Sequence, residues 1–383
     1  MKKLGIIPLA LLLLLQSGCA DGSIYSNYRE IEQLRVIQTL GFDLEDNGDV
    51  SLSVSTGKPP EGELPLRVSV SAPSLSLAME SVQSYSDSSE LYFPHTKYLM
   101  LGEAAASDAL RFLDYVERSV PLRLDSPLFV VRGGEASEPL MEAGGEEGDI
   151  TELLISLERD IRRRGSSYIF SCVEIAQSLA ENGAALCCAV RSSEAEAATG
   201  SEFPVVLPAG FAVLRGGRLV DWIDEGAARG VCLLLEKPGS GAVSLPSGVT
   251  VELSGGNAEL QPSWGADGSL ESLNIALSLS AGILELKEPQ DLGDEQSTAQ
   301  PERELAALAE EWAGEVLAIS KKNCADFLGL GRGLERHFTQ KWFGIEDEWP
   351  QLLRKLPISV TAEAVILRSY DLSASANSEG GGK

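Results

Sequence analysis

Histidine is nearly absent from this sequence of 383 residues, which contains only two, His95 and His337. The common catalytic motifs are missing as well: there is no Gly-x-Ser-x-Gly elbow, no His-Glu-x-x-His zinc motif and no P-loop. A histidine-rich catalytic or zinc site is therefore not supported. We predict that the protein is not an enzyme and that it holds no metal and no other cofactor.

Positive charge is also scarce, because 31 Lys and Arg stand against 57 Asp and Glu, which gives a net charge of −26. A surface this acidic repels nucleic-acid phosphates and anionic lipid headgroups. We therefore exclude nucleic acid as a partner and exclude an electrostatic contact with a membrane. A glycosidase stays open only because carboxylates are abundant, and nothing in the sequence marks out a catalytic pair of them.

Long hydrophobic runs are lacking, and the apolar run at the start, Leu4 to Leu15, is twelve residues. At about 1.5 Å per residue this run reaches ~18 Å, which is short of a hydrocarbon core of about 30 Å. It follows Lys2 and Lys3 and is closed by small residues, which is the layout of a secretory signal. We predict a signal peptide at 1–18.

Cysteine is limited to six residues, and the first of them has a special position. Cys19 directly follows Ser17 and Gly18, which resembles a bacterial lipobox, in which cleavage before the cysteine leaves it acylated at the N-terminus. Gln16 stands where lipoboxes usually have leucine, so a plain signal peptide with an incidental cysteine stays open. We expect cleavage between Gly18 and Cys19, and lipidation of Cys19.

The other five cysteines are an odd number without metal-ligand spacing, and Cys187-Cys188 lies in the apolar run 184–190. We expect all five to act as small buried hydrophobes.

The chain that follows alternates strands and helices, which predicts an α/β fold with mixed α+β layers and more than one domain. Asn47-Gly48 between alternating stretches indicates a hairpin that opens the fold. A polar segment at 192–204 marks a linker between two domains. The predicted strands are 66–71, 91–103, 128–131 and 184–190, and the predicted helices are 74–84, 104–116, 135–142, 150–164 and 173–182.

Beyond the linker, the pattern predicts a hairpin over 211–223, a short helix at 224–229 and a strand at 230–235. Strands are expected at 249–253, 257–260, 273–286 and 357–367. Pro301 marks the start of the longest helix, whose apolar stripe should pack on the domain's own sheet. Gly329-x-Gly331-x-Gly333 lies between two predicted helices and not after a strand, which indicates a helix break, not a phosphate site.

Several short motifs, taken in order, resemble the Ger(x)C family, the C subunits of nutrient germinant receptors in endospore-forming bacteria. No single motif is specific, but their order spans nearly the whole chain behind the lipobox. The stretches that carry the resemblance are Arg29-Glu30-Ile31, Leu40-Gly41-Phe42-Asp43, Phe93 to Lys97, Leu101-Gly102-Glu103, Phe112 to Arg118, Ala325 to Gly331, and Lys341-Trp342 through Trp349.

The resemblance implies a lipid-anchored, extracytoplasmic subunit on the outer face of the spore inner membrane. It also implies partners, a multi-pass A subunit and a permease-like B subunit, to which this chain would contribute assembly, stability or signal relay. The implied organisation is a signal peptide at 1–18, a lipidated tether at 19–28, an N-terminal C-subunit domain at 29–191, a linker at 192–204, a C-terminal C-subunit domain at 205–372 that could divide further near 261–267, and a disordered tail at 373–383.

A solute-binding lipoprotein of an uptake transporter is the competing hypothesis, because it too would combine a lipobox with two α/β lobes. Such proteins need a ligand cleft between lobes that are joined by crossing strands, whereas 192–202 is typical of a single-pass linker.

Overall fold

The structure is a computed structural model and describes residues 34–57, 64–86, 90–119, 121–142, 149–193, 205–237, 239, 241–287 and 295–367. The described strands are β1 (Leu34–Val36), β2 (Thr39–Leu44), β3 (Val50–Ser55), β4 (Arg67–Ala72), β5 (Glu90–Tyr92), β6 (Tyr98–Leu101), β7 (Leu128–Val131), β8 (Ala184–Ser193), β9 (Val205–Arg215), β10 (Arg218–Ile223), β11 (Ala242–Ser244), β12 (Val249–Trp264), β13 (Leu270–Leu286) and β14 (Ile358–Leu367). The described α-helices are α1 (Leu75–Val82), α2 (Glu103–Ala106), α3 (Ala109–Arg118), α4 (Ser137–Glu142), α5 (Ile150–Arg164), α6 (Cys172–Asn182), α7 (Ala228–Leu234), α8 (Glu295–Asn323), α9 (Leu330–Trp342) and α10 (Trp349–Lys355).

Eight strands form the first sheet, in the order β10-β9-β8-β7-β6-β2-β3-β4. The central strands β2, β6, β7 and β8 are parallel, and antiparallel hairpins extend the sheet at both edges. The β2–β3 hairpin has the predicted turn, with Gly48 in the left-handed region at φ 87°. The mixed α/β fold class predicted from the sequence is confirmed.

Both faces of the central strands are buried, which is why β6 and β7 are continuous apolar runs, whereas the outer strand β4 alternates polar and apolar residues. On one face, α4 and α5 pack against side chains such as Met100 and Phe129. On the other face, α1, α3 and α6 contribute to a larger core with Phe42 and Leu128. The predicted buried cysteines follow this alternation, since Cys187 and Cys188 point to opposite faces and both are fully buried.

Helix ends in this layer use local signals that the sequence shows. Asp149 caps α5, which ends at Gly165 with φ 55°. Ser171 and Glu174 form a capping box at the start of α6, which ends at Gly183 with φ 68°. Both helices therefore begin and end within one residue of the predicted bounds.

The second sheet has the order β11-β12-β13-β14 and is covered by the long helix α8. In the predicted apolar stripe of α8, Leu305, Ala309 and Val316 are fully buried, which confirms packing on the chain's own sheet. The last strand, β14, is parallel to β13 and forms an edge. On that edge, the backbone N–H groups of Ala362 and Ile366 donate to Glu310 and Glu302 of α8 at 2.9 and 3.0 Å.

The predicted strand at 230–235 is wrong, because these residues belong to α7 and the turn after it. The apolar composition of this run suits a strand, but tertiary packing determines that it is a helix. Helix α7 lies against α8, and Gly230 touches the backbone of Trp312. A Cβ at Gly230 would overlap the Trp312 carbonyl, so this close approach of two helices requires glycine.

Other element bounds differ in smaller ways. The predicted strand at 91–103 is interrupted by a turn at 93–97, and the helix predicted at 104–116 is divided at Ser107 and Asp108. The strands predicted at 249–253 and 257–260 are one strand, β12. Helix α8 begins at Glu295, six residues before Pro301, which lies inside it.

The segment predicted as a linker, 192–204, does not separate two sheets. Ser192 and Ser193 belong to β8, and β8 before it is the antiparallel neighbour of β9 after it. Residues 261–267 form the end of β12 and the start of its turn into β13.

We predict that Gly230→Ala destabilises the protein by about 1–3 kcal/mol, because the added methyl group forces α7 away from α8. Gly314→Ala is the matched control: it lies in α8 with open space around it, so it should stabilise by about 0.5–1 kcal/mol. Urea unfolding of the two variants measures both effects. Equal stability of the two variants would contradict the packing of α7 on α8.

Candidate functional site

The predicted lipidation and cleavage residues, Cys19 and Gly18, lie outside the described residues, as do the tether and the tail at 373–383. Lipidation of Cys19 therefore stays a prediction. Within the part of the chain that the structure describes, no helix is long and apolar enough to cross a membrane.

The structure brings two of the N-terminal motifs, Leu40 to Asp43 and Leu101 to Glu103, together around one buried carboxylate, Asp43. Its two side-chain oxygens accept hydrogen bonds from the backbone N–H groups of Ala136 and Ser137, at 2.7 and 2.9 Å, where α4 begins. Gly102 lies so close that a Cβ would overlap the carboxylate. Burial raises the pKa of Asp43 to about 6, against the opposing effect of the two backbone hydrogen bonds. Asp43 and Gly102 thus act as a structural joint between β2, β6 and α4.

The C-terminal motifs converge on a second buried carboxylate, Asp326. It accepts from the backbone N–H groups of Leu330 and Gly331 at 2.8 and 2.7 Å, and from Nε1 of Trp349 at 2.8 Å. The Trp342 and Trp349 rings pack edge to face at a centroid distance of 5.4 Å. Burial raises the pKa of the Asp326 carboxyl above its ordinary value. This cluster fixes the start of α9 against α10.

Gly329 and Gly331 have structural roles in this second cluster. Gly329 adopts the left-handed conformation, with φ 68°, just before α9, and Gly331 lies within the first turn of that helix. A Cβ at Gly331 would contact the indoles of Trp342 and Trp349. The glycine repeat is therefore the break and restart of a helix, as predicted.

Four of the cysteines in the described part of the chain are buried as thiols. Burial raises the pKa of Cys172, Cys188 and Cys232 to about 12, so these thiols are not nucleophiles at neutral pH. Cys324 is only half-buried, so the prediction of a buried cysteine is wrong at this position. Among the described residues, no group of three or more His, Cys, Asp and Glu side chains could hold a metal ion.

A cleft of about 860 Å³ separates the first sheet and its helices from β12. One wall consists of α5 around Glu158 and the segment 167–171, and the other consists of the end of α7 and residues 253–256 of β12. Lys237 and Glu174 meet inside the cleft, with Nζ 3.3 Å from Oε1. The sequence did not reveal this cleft. Only Ser171-x-x-Glu174 carried a signal, that of a capping box, and nothing in the sequence marked Lys237.

The protein is a pair of joined α+β halves with a buried carboxylate joint in each and a cleft between them. A family model described as "Spore germination protein N-terminal domain" matches residues 27–188, and one described as "Spore germination B3/GerAC like, C-terminal" matches residues 209–370. The chain therefore belongs to the GerAC-like family of spore germination proteins.

One curated protein and one solved structure are similar to most of the chain. Spore germination protein KC of Bacillus subtilis (strain 168) is 24% identical over 397 residues, covering 94% of this chain and 95% of that protein. A crystal structure of the GerBC protein superimposes with a TM-score of 0.53 at 13% identity, covering 86% of this chain and 96% of that one. The second match shows a shared fold.

We predict that the stability advantage of the parent protein over Asp43→Asn falls as the pH rises from about 4 to about 7. The folded state raises the pKa of Asp43 from 3.8 to about 6, so the folded protein holds a proton that the unfolded chain releases. The contribution of the protonated carboxyl to the free energy of unfolding is complete below pH 3.8 and is lost as the pH passes 6. The total loss is about 3 kcal/mol. Urea unfolding at several pH values measures it, with exposed Asp46→Asn as control. A pH-independent difference would be evidence against the buried carboxyl.

We predict that Trp349→Phe destabilises the protein by about 1–3 kcal/mol, because a buried carboxylate loses one of its three donors. Trp264→Phe is the matched control, since the buried Nε1 of Trp264 has no hydrogen-bond partner among the described residues. Thermal unfolding of both variants compares the two losses. A larger loss for Trp264→Phe would show that ring packing matters more than the hydrogen bond to Asp326.

Proposed function

We propose that the protein is a non-enzymatic, lipid-anchored subunit of a nutrient germinant receptor, needed for spore germination. The observation that carries this proposal is the ordered match of both family domains over most of the chain. The names of the two relatives point the same way, since one is a spore germination protein and the other is GerBC.

The position of the protein in the cell is part of the proposal. The acyl chains on Cys19 would hold it to the outer face of the spore inner membrane, because two or more chains give a stable attachment. Its net charge of −26 argues against adhesion to anionic lipid through the protein surface. The tether at 19–28 would confine the folded part beside membrane-embedded A and B subunits, which raises their effective concentration.

The division of the chain also stays a proposal: C-subunit domains at 29–191 and 205–372 with a linker at 192–204, which share one sheet through the pairing of β8 with β9. The role we assign to them is assembly, stability or signal relay beside the A and B subunits, without catalysis. The two buried carboxylate joints fit this role, because they stiffen the scaffold and do not face an open site.

A solute-binding lipoprotein of an uptake transporter is the second candidate, and the cleft between the halves is the observation that favours it. The family match favours the receptor. Neighbouring genes for a multi-pass A-type subunit and a permease-like subunit would support the receptor, whereas a neighbouring ATPase gene would support uptake.

Deletion of the gene in a sporulating host tests the receptor proposal. We expect spores that germinate slowly or not at all on at least one nutrient, with recovery when the parent gene is returned. Normal germination of the deletion spores on every nutrient tested would remove most support for the proposal.

We predict that Cys19→Ala releases the protein from the membrane fraction or leaves the precursor uncleaved, since the acylated residue is lost. Immunoblots of fractionated spores measure location and size. Cys324→Ala is the matched control, because its thiol is half-buried within the described fold and should leave both unchanged. A Cys19→Ala protein that is cleaved and retained like the parent would refute the anchor.

A further inference from the structure

The ammonium group of Lys237 lies in a cage made by the opposite wall of the cleft. Its Nζ is 4.1 Å from the ring centroid of Tyr168, 5.6 Å from that of Phe170 and 3.3 Å from Oε1 of Glu174. Two aromatic rings and one carboxylate are the groups that recognise an organic ammonium ion in proteins. We name Tyr168, Phe170 and Glu174 the ammonium cage.

The cage is held in place by contacts that do not involve Lys237. The hydroxyl of Tyr168 donates to Oε1 of Glu174 at 3.1 Å, and Ser171 donates to Oε2 through both its backbone N–H and its hydroxyl at 2.9 Å. The rings of Tyr168 and Phe170 pack edge to face at 4.8 Å, and Phe170 packs on Phe211 of β9. The cage is therefore preorganised, because its members are fixed by the first sheet and by α6.

The charge of the cage suits a cation. Burial alone would raise the pKa of Glu174, but the hydrogen bonds from Ser171 and the nearby Lys237 bring it below its ordinary value. Glu174 is thus ionised at neutral pH. Among the described residues, the cleft walls also carry Asp125, Glu158 and Glu236 against one further cation, Arg162, which pairs with Glu158 at 2.5 Å. The balance of the lining charges is therefore negative and disfavours an anionic occupant.

The backbone of Lys237 lies on the opposite wall of the cleft, and its side chain crosses the cleft to reach the cage. Its backbone N–H donates to the carbonyl of Cys232 at 2.9 Å, at the end of α7. The preceding residue, Glu236, has a left-handed backbone with φ 50° and accepts from the N–H of Ala258 in β12 at 2.8 Å. The backbone of Lys237 is therefore anchored to α7 and β12, whereas its ammonium binds the first half.

The cage borders open space on two sides. Glu174 and Lys237 line both the cleft of about 860 Å³ and a second cavity of about 220 Å³, so their ion pair forms the partition between the two. A small molecule in the cleft can therefore reach the cage where Lys237 now lies.

We propose that the cleft is a binding site for a small primary ammonium compound, whose ammonium group occupies the cage of Tyr168, Phe170 and Glu174 in competition with Lys237. The side chain of Lys237 acts as a tethered competitor, and an intramolecular group has a high effective concentration at its site. A free amine must displace it, and the displacement removes the link between the two walls. The inference is independent of the receptor assignment, since it rests on the cage alone.

The test uses the full-length chain in mild detergent and n-butylammonium chloride as the probe, because this ion reproduces the end of a lysine side chain. Isothermal titration at pH 7, with sodium chloride replacing the probe in the reference, measures its affinity. We expect saturable binding in the millimolar range to Lys237→Ala, at least about tenfold tighter than to the parent protein, because the competitor is gone.

Two further variants locate the binding. Lys237→Ala combined with Glu174→Gln should lose it, although glutamine preserves the capping box with Ser171. Lys355→Ala removes an exposed lysine elsewhere and should bind like the parent protein. If Lys237→Ala does not fold, Lys237→Gln keeps the first two methylene groups of the stem without the charge and should change the affinity in the same direction.

Three results would overturn the proposal. They are the absence of saturable binding to the Lys237 variant, equal affinity of that variant and the parent protein, and binding that survives Glu174→Gln. The first would show that the cage does not hold an ammonium ion, and the other two would show that the probe binds elsewhere. A germination defect on deletion with no amine binding would leave the proposed function intact and reject this inference alone.

Discussion

The packing of each half depends on a carboxylate buried against the free backbone N–H groups at the start of a helix. Asp43 does this for α4 and Asp326 for α9, and among the described residues neither carboxylate is paired with a cation. Burying a carboxylate is costly unless its oxygens are fully hydrogen-bonded, and the first turn of a helix supplies unused donors. The neighbouring glycines, Gly102 and Gly331, follow from the same requirement, because a side chain there would displace the carboxylate or the indoles around it.

This requirement explains why the family motifs look unspecific in the sequence. Gly41-Phe42-Asp43 and Leu101-Gly102-Glu103 are distant in the chain, yet they lie on neighbouring strands of one sheet, and each contributes to the same joint. These motif residues therefore have a structural role: they hold the strands and the helix of the fold together. The fold shared with GerBC at only 13% sequence identity is consistent with this interpretation.

Much of the fold could be predicted because the signals are local. Asp149 and Gly165 bound α5, Asn47-Gly48 forms the first hairpin, and the stripe of α8 packs on its own sheet. The strand predicted at 230–235 failed because an apolar run has no period of its own, and the fit of Gly230 against Trp312 is visible only in three dimensions. The predicted lipidation site, Cys19, lies outside the described residues. The cleft could not be predicted either, because its two walls come from distant parts of the chain. Glu174 and Lys237, which meet inside it, are 63 residues apart in the sequence.

The carboxylates of α8 at the free edge of β14 have a consequence for self-association. A parallel edge strand normally offers unpaired N–H groups to which a strand of another molecule can add. Here Glu310 and Glu302 already occupy the donors of Ala362 and Ile366. An incoming strand would have to displace two charge-assisted hydrogen bonds and place its own carbonyl oxygens beside two negative charges. Edge-to-edge addition of a strand from another molecule is therefore disfavoured at these two positions of β14.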